Sequence, residues 1–253
     1  MDYRIGDCRE VLRTLPDDTF DCIVTDPPYG ETNLGWDKRC AGWAVEARRV
    51  LKPTGSMWVF GSLRSLMAAG AELTGWHMAQ DVVWEKHNGS SFHSDRFRRV
   101  HEHAVHLYKD DAPWSGVYRQ PQFTMDAKAR VVRKRAREAA WHGATGPTTY
   151  VSEDGGPRLM RSVIYVRSEH GRALHPTQKP EGIIEPLLLY SCPPGGAVLD
   201  PFGGSGTVGV VAARNGMQAT LIDLNPDYKA TAERRLVDDW LKGQPPEVRR
   251  LFG

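Results

Sequence analysis

Four consecutive residues, Asp26-Pro27-Pro28-Tyr29, combine an acceptor-rich edge with a flat aromatic face. Proline has no N–H, so nothing donates a hydrogen bond at positions 27 and 28. What remains is the Asp26 carboxylate and the backbone carbonyls of Pro27 and Pro28. A substrate that fits is flat and carries an NH2 group, such as the exocyclic amine of adenine or cytosine. The acceptors take its two N–H bonds and its ring stacks on Tyr29. The competing reading is a proline-rich turn that caps a strand, with Tyr29 packed on the core. Four residues alone do not choose between the two.

A second constellation lies far along the chain. Asp200-Pro201-Phe202-Gly203-Gly204-Ser205-Gly206-Thr207 is a glycine-rich turn, in which backbone can approach a ligand where a Cβ would collide. Asp223 stands about 20 residues on, where dinucleotide-binding folds place an acid for a ribose. Residues 204–209 even satisfy G-x-G-x-x-G, which suggests a nicotinamide or flavin oxidoreductase. Two features oppose that suggestion. Asp200 stands just before the glycines, where it would repel a pyrophosphate, and little chain follows for a second mononucleotide half. S-adenosylmethionine fits better, with a ribose, no phosphate and an amino group that can meet a carboxylate.

The elements that must position these residues are legible around them. Residues 20–24 are apolar and read as a buried strand that delivers Asp26 at its end, and the following prolines hold the loop extended. Residues 197–199 form a short strand running into the glycine turn. Residues 208–215 read as a helix closed by Gly216, and 219–222 as a strand ending at Asp223. His175-Pro176-Thr177-Gln178-Lys179-Pro180 precedes an apolar helix over 183–190. Pro180 suits the first turn of that helix, and Lys179 is either functional or merely solvated.

In this order the segments resemble the amino-methyltransferases of DNA in their β arrangement, where the catalytic D-P-P-Y precedes the target-recognition region and the cofactor loop comes last. Gly6-Asp7-Cys8 is similar to the family's N-terminal G-D segment, and Arg49-Val50-Leu51-Lys52-Pro53-Thr54-Gly55 to its helix-to-strand turn. Trp84-Glu85-Lys86 resembles the W-x-K strand end. The segment from His175 to Pro180 matches H-P-T-Q-K-P, and that from Asp200 to Thr207 matches D-P-F-x-G-S-G-T. Asp223 stands where the family more often has Glu, a change that keeps the acceptor pair. The resemblance covers most of the chain outside residues 110–170.

The resemblance implies an α/β, doubly wound, Rossmann-like methyltransferase fold with an inserted target-recognition region. It implies catalytic roles for Asp26, Pro27, Pro28 and Tyr29. Cofactor contacts are implied for Asp7 and Cys8 at the adenine, and for Asp223 at the ribose. They are implied also for Asp26, Thr177, Lys179, Asp200, Pro201, Phe202, Gly203, Gly204, Ser205, Gly206 and Thr207. The implied reaction moves a methyl group from S-adenosylmethionine to an amine of a base flipped out of duplex DNA. The family's cytosine-N4 members more often carry Ser at the position of Asp26, so adenine N6 is expected over cytosine N4. A catalytically silent DNA-binding relative would show a damaged motif, and both motifs are intact. A homodimer is expected, with any restriction endonuclease a separate protein.

Composition sets the remaining bounds. The 253 residues are 40% hydrophobic and 25% charged, ordinary values for a globular chain. No run approaches the roughly 18 apolar residues of a membrane span, and Met1-Asp2-Tyr3-Arg4 lacks a signal-peptide pattern, so a cytoplasmic protein is expected. Cys8, Cys22, Cys40 and Cys192 show no C-x-x-C spacing and are expected to be reduced. His101, His103 and His106 crowd one strand-like stretch without accompanying cysteines, so no metal is expected.

Net charge is only +2, yet Arg119, Lys128, Arg130, Arg133, Lys134, Arg135 and Arg137 fall within 25 residues that hold two acids. Residues 126–141 predict a helix with Asp126 as N-cap. Arg133 and Arg137 would then share a face, bordered by Lys134, for phosphate contacts. Arg98 and Arg130 complete the expected DNA contacts. The competing reading is a solvated helix face. The expected organisation is a catalytic half over 1–109, a target-recognition insertion over 110–172 and a cofactor-binding half over 173–253.

Overall fold

The computed structural model describes residues 1–89, 94–139, 143–171, 173–245 and 247. The chain opens with β1 (Asp2–Ile5), α1 (Cys8–Arg13), β2 (Phe20–Thr25), α2 (Trp43–Val50), β3 (Leu51–Gly61), α3 (Leu63–Ala68), β4 (Trp76–Glu85) and β5 (His101–Lys109). Short strands follow: β6 (Phe123–Thr124), β7 (Arg130–Lys134), β8 (Arg137–Ala139), β9 (Gly143–Thr145), β10 (Thr148–Ser152) and β11 (Arg158–Leu159). The chain then runs through β12 (Val163–Tyr165), α4 (Glu181–Ser191), β13 (Ala197–Asp200), α5 (Thr207–Arg214), β14 (Gln218–Asp223) and α6 (Pro226–Lys242).

Two compact units result, Met1–Gln120 with Ser162–Gly253, and Pro121–Arg161. The larger is built on an eight-stranded sheet in the order β1-β14-β13-β2-β3-β5-β4-β12. The run from β1 to β3 is parallel throughout, while β5 is antiparallel to both β3 and β4. Parallel strands covered on both faces need apolar residues on both, and β2 shows this. Cys22 and Val24 join a core with Ile183, Ile184 and Leu188 of α4 and Val208 and Val211 of α5. Phe20 and Ile23 join the opposite core, with Leu12 of α1 and Trp43, Ala47 and Val50 of α2. This is the doubly wound arrangement.

The direction of winding reverses between two neighbours, β13 and β2. From β13 the chain crosses through α5 to β14 on one side, and from β2 it crosses through α2 to β3 on the other. A crevice opens outside the strand ends at such a reversal. Asp200 closes β13 and Asp26 follows β2 directly. The two motifs, 174 positions apart in the chain, therefore meet. The helix expected over 208–215 is α5, with Asn215 as its C-cap and Gly216 left-handed behind it at φ 70°. Pro180 is the N-cap of α4 in extended geometry, one position before the first turn in which it was expected.

The smaller unit departs from the sequence-based expectation. No helix covers 126–141 within the described residues. Instead β7 pairs antiparallel with β10, β8 with β9, and β6 with β11. Helix-favouring Lys, Arg and Ala lose here to Val131 and Val132, whose branched side chains suit a strand. Their partners across the ladder, Val151 and Tyr150, are also strand formers. Arg133 and Lys134 consequently point to opposite faces, and Arg137 lies on a different strand. The shared helical face of Arg133 and Arg137 does not exist. The side chain of Arg137 and residues 140–142 lie outside the described residues. The unit is also narrower than 110–172, because β12 belongs to the large sheet beside β4. No described helix is long and apolar enough to cross a membrane.

Candidate active site

A cavity of about 470 Å³ opens at the ends of β2 and β13. Asp26, Asp200, Asp223, the glycine turn and the segment around Lys179 line it together. Thr25 ties the two central strands by donating from Oγ1 to Asp200 Oδ1 at 2.8 Å. The Phe202 N–H donates to the same oxygen at 3.0 Å. Burial pushes the Asp200 carboxyl up to about 7 despite these donors, and the neighbouring Asp26 and Asp223 carboxylates add to the rise.

The glycine turn is shaped by close approach. A Cβ on Gly203 would stand 2.9 Å from the Leu221 Cβ, and one on Gly206 would collide with Ala232 of α6. Gly206 is left-handed at φ 79° and serves as N-cap of α5. The Gly204 N–H donates to Asp223 Oδ2 at 2.9 Å, and the Gly204 carbonyl accepts from the Tyr3 hydroxyl at 2.6 Å. Arg235 reaches from α6 to donate to the Ser205 carbonyl at 2.9 Å and to Thr207 Oγ1 at 2.9 Å. The turn is thus held from three elements, β14, β1 and α6.

At the other end of the cavity Asp7 caps α1, accepting from the Arg9 N–H at 2.9 Å, and the Arg9 guanidinium holds its carboxyl down to about 2. Cys8 is buried, its Sγ 3.8 Å from Cys40 Sγ. Cys40 belongs to a loop that follows the D-P-P-Y segment and lines the cavity. Asp37 braces that loop by accepting from the N–H groups of Gly30, Glu31 and Thr32 at 2.8, 3.0 and 2.7 Å. Trp36, on the same loop, lies 5.2 Å from the His175 ring, and His175 lies 4.5 Å from Tyr228.

Asp26 sits where the two halves of the sheet diverge. Its Oδ1 accepts from the Tyr29 hydroxyl at 2.6 Å, and its Oδ2 accepts from Lys179 Nζ. Lys179 is only 7% exposed, which excludes the solvated reading. Burial raises the Asp26 carboxyl above the ordinary range; Lys179 opposes that rise and Glu102 adds to it. Tyr29 is raised well above the usual phenol range, by burial first and by Asp26 next.

Of the site residues expected from the sequence, Asp7, Cys8, Asp26, Pro28, Thr177, Lys179, Asp223 and the whole stretch from Asp200 to Gly204, with Ser205 and Thr207, line one cavity, while Pro27, Tyr29 and Gly206 are not in its lining. Arg98 is exposed on the segment before β5, and Arg130, Arg133 and Lys134 are exposed on β7. Trp36, Asp37, Glu102 and Arg235 join the site without having been expected there. Glu102 carries no local signal: it reads as one polar residue of a strand, and its partners come from distant segments.

The sequence profile of the DNA methylase family, covering N6 and N4 enzymes, matches residues 20–234. The type II methyltransferase M.HinfI of Haemophilus influenzae is 30% identical, the match spanning 97% of this chain and 70% of that protein. Among solved structures, the M1.HpyAVI–SAM complex superposes with a TM-score of 0.61 at 22% identity, over 93% of this chain and 98% of that one. The cytosine-N4-specific PvuII DNA methyltransferase superposes with a TM-score of 0.60 at 17% identity, over 94% and 90%. These two share the fold. The profile and the relative reach further: the chain whose two strand-end motifs meet at the winding reversal belongs to the N6/N4 DNA methylase family.

Proposed function

We propose that this chain methylates the N6 amine of adenine in duplex DNA, with Asp26 as the acceptor that steers the amine. The observation that carries the reading is the placement of Asp26: a carboxylate at the end of a central strand, facing the same cavity as the glycine turn. The family uses S-adenosylmethionine, which supplies an electrophilic methyl group on a sulfonium. The residues present suit such a ligand. Gly203 and Gly204 line the cavity, and Asp7, Asp26, Asp200 and Asp223 line it beside Arg9, Lys38, Arg39 and Lys179, a mixed setting whose carboxylates can meet an ammonium and a ribose. Asp200 would hold its ammonium, Asp223 its ribose, and Asp7 with Cys8 its adenine.

An exocyclic amine is a weak nucleophile because its lone pair is delocalised into the ring. Asp26 and the Pro27 carbonyl, by accepting its two hydrogens, draw the nitrogen towards tetrahedral geometry and aim its lone pair at the cofactor end of the cavity. This is orientation and electrostatic preorganisation, with no covalent enzyme intermediate. The amine is hidden in stacked DNA, so the base must leave the helix, and Tyr29, hydrogen-bonded to Asp26, would stack on it. Asp at position 26, where cytosine-N4 members more often have Ser, favours adenine. The basic strand β7 fits phosphate contact, and two copies of the chain acting on one duplex fit a palindromic site.

The test is transfer of labelled methyl from S-adenosylmethionine to unmethylated duplex DNA, followed by digestion to nucleosides. N6-methyladenine is expected, and Asp26→Asn should lower kcat by at least about 100-fold while cofactor and DNA still bind. N4-methylcytosine alone would overturn the base assignment, and wild-type kcat in Asp26→Asn would remove Asp26 from its role.

A further inference from the structure

Lys179 Nζ stands between two carboxylates. It donates to Asp26 Oδ2 and lies 3.2 Å from Glu102 Oε2. The other oxygen of Glu102 accepts from Lys86 Nζ. Glu102 comes from β5, Lys86 from the residue after β4, and Lys179 from the segment before α4, so three separate elements converge behind Asp26. Side-chain exposures of 7–11% for Lys179, Lys86 and Glu102 put the group out of water. Lys179 also faces the rings of Tyr29, Phe60 and Trp84 at 5.6, 5.4 and 6.0 Å, and Lys86 lies 4.6 Å from the Trp84 ring.

The signs alternate along this row: Lys86 positive, Glu102 negative, Lys179 positive, Asp26 negative, and then the place for the amine. The row is neutral as a whole. Buried charges are tolerable only when matched in this way. The ammoniums outweigh the burial of Glu102 and hold its carboxyl well below the usual range. Methyl transfer moves positive charge from the sulfonium onto the amine nitrogen. A net positive charge behind Asp26 would oppose that movement, and in a water-poor site the opposition is felt strongly.

We propose that Glu102 is a positioning residue for the methyl transfer: it clamps Lys179 against Asp26 and offsets its charge, so that the amine meets a carboxylate whose negative charge is not cancelled. The proposal rests on the catalytic reading of Asp26. Glu102 acts through Lys179 and touches no reacting atom.

The groups facing Asp26 are Lys179, Tyr29 and Glu102, with Lys86 behind Glu102 and with His175 and Asp200 across the cavity. Glu102→Gln removes a like charge, so Asp26 should ionise at lower pH. The acidic limb of the kcat profile should move down by about half a unit to one unit, while the plateau falls about 10- to 100-fold. Cofactor affinity should change less than about threefold, since Glu102 lies outside the cavity lining. A merely structural residue would lower Tm and activity and leave the limb in place. The double variant Glu102→Gln/Lys86→Gln restores neutrality and should recover part of the lost kcat.

If Glu102→Gln fails to fold, Lys86→Gln alone gives the reading, with the limb moving up instead of down. Asp26→Asn is measured in parallel. An inactive Asp26→Asn beside a Glu102→Gln of wild-type kcat and unmoved limb would overturn this proposal alone. An active Asp26→Asn would overturn the catalytic reading on which it rests.

Discussion

Asp200 is a buried carboxyl that links two strand ends and that, in the function proposed above, also holds the ammonium of the cofactor. Its Oδ1 is occupied by Thr25 and the Phe202 N–H, and burial holds its carboxyl near 7. The folded value lies above the ordinary carboxylate value, so ionisation costs stability. The free protein has no such cost at pH below about 4, meets it progressively as pH rises to about 7, and bears it in full above that. A ligand ammonium offsets the same cost. Affinity for S-adenosylmethionine should therefore rise as pH climbs towards about 7 and level off above it, and Asp200→Asn should weaken binding and flatten the dependence. Calorimetry across that range checks both, and an equally steep dependence in Asp200→Asn would take Asp200 out of the ammonium site.

At the scale of the elements, the glycine turn separates two kinds of glycine. Gly204 is left-handed at φ 46°, but a Cβ there meets only the His175 ring, at 3.6 Å or beyond. Gly206 is left-handed and would also run into Ala232 of α6. Gly204→Ala should cost about 1–2 kcal/mol, the backbone term alone. Gly206→Ala should cost about 2–5 kcal/mol, because overpacking adds about 1–3 kcal/mol. Urea denaturation compares them, and equal losses would show that α6 yields to the added methyl group.

The same elements explain what could be read in the sequence. β2, β13, α5 and β14 each follow from a local apolar run with a turn signal at its end, and each motif names its own strand. The meeting of Asp26 with Asp200 follows from chain order in a doubly wound sheet. By contrast, β7 is decided by pairing with β10, which begins 14 positions beyond its end, and local propensity favoured a helix. The row from Lys86 to Asp26 was hidden for the same reason: Lys179 meets Asp26 across 153 positions, and no local pattern tells which side of β5 Glu102 faces. Asp37 and Trp36 stand in a loop of no regular period, so nothing in their spacing announced a brace or a cavity wall.

Across the whole molecule, affinity for DNA should depend on exposed cations rather than on net charge, which is only +2. On β7 the alternation of a strand puts Arg130 and Lys134 on one face and Arg133 on the other. Replacing Arg130 and Lys134 together with Ala should weaken binding at every sequence and reduce the slope of log K against log salt by up to about two. Arg133→Ala should move the slope by less than half of that. Equal slopes in all three proteins would show that the strand is a solvated surface, and a changed recognition sequence would show that it reads bases.

In the function proposed above, the cavity at the winding reversal methylates adenine N6 through Asp26. The most direct test of that function is modified-base sequencing of DNA from a methylation-free host expressing either the wild-type chain or Asp26→Asn. N6-methyladenine is expected at one recurrent short sequence with the wild type and none with Asp26→Asn. N4-methylcytosine with the wild type, or N6-methyladenine persisting in Asp26→Asn, would contradict it.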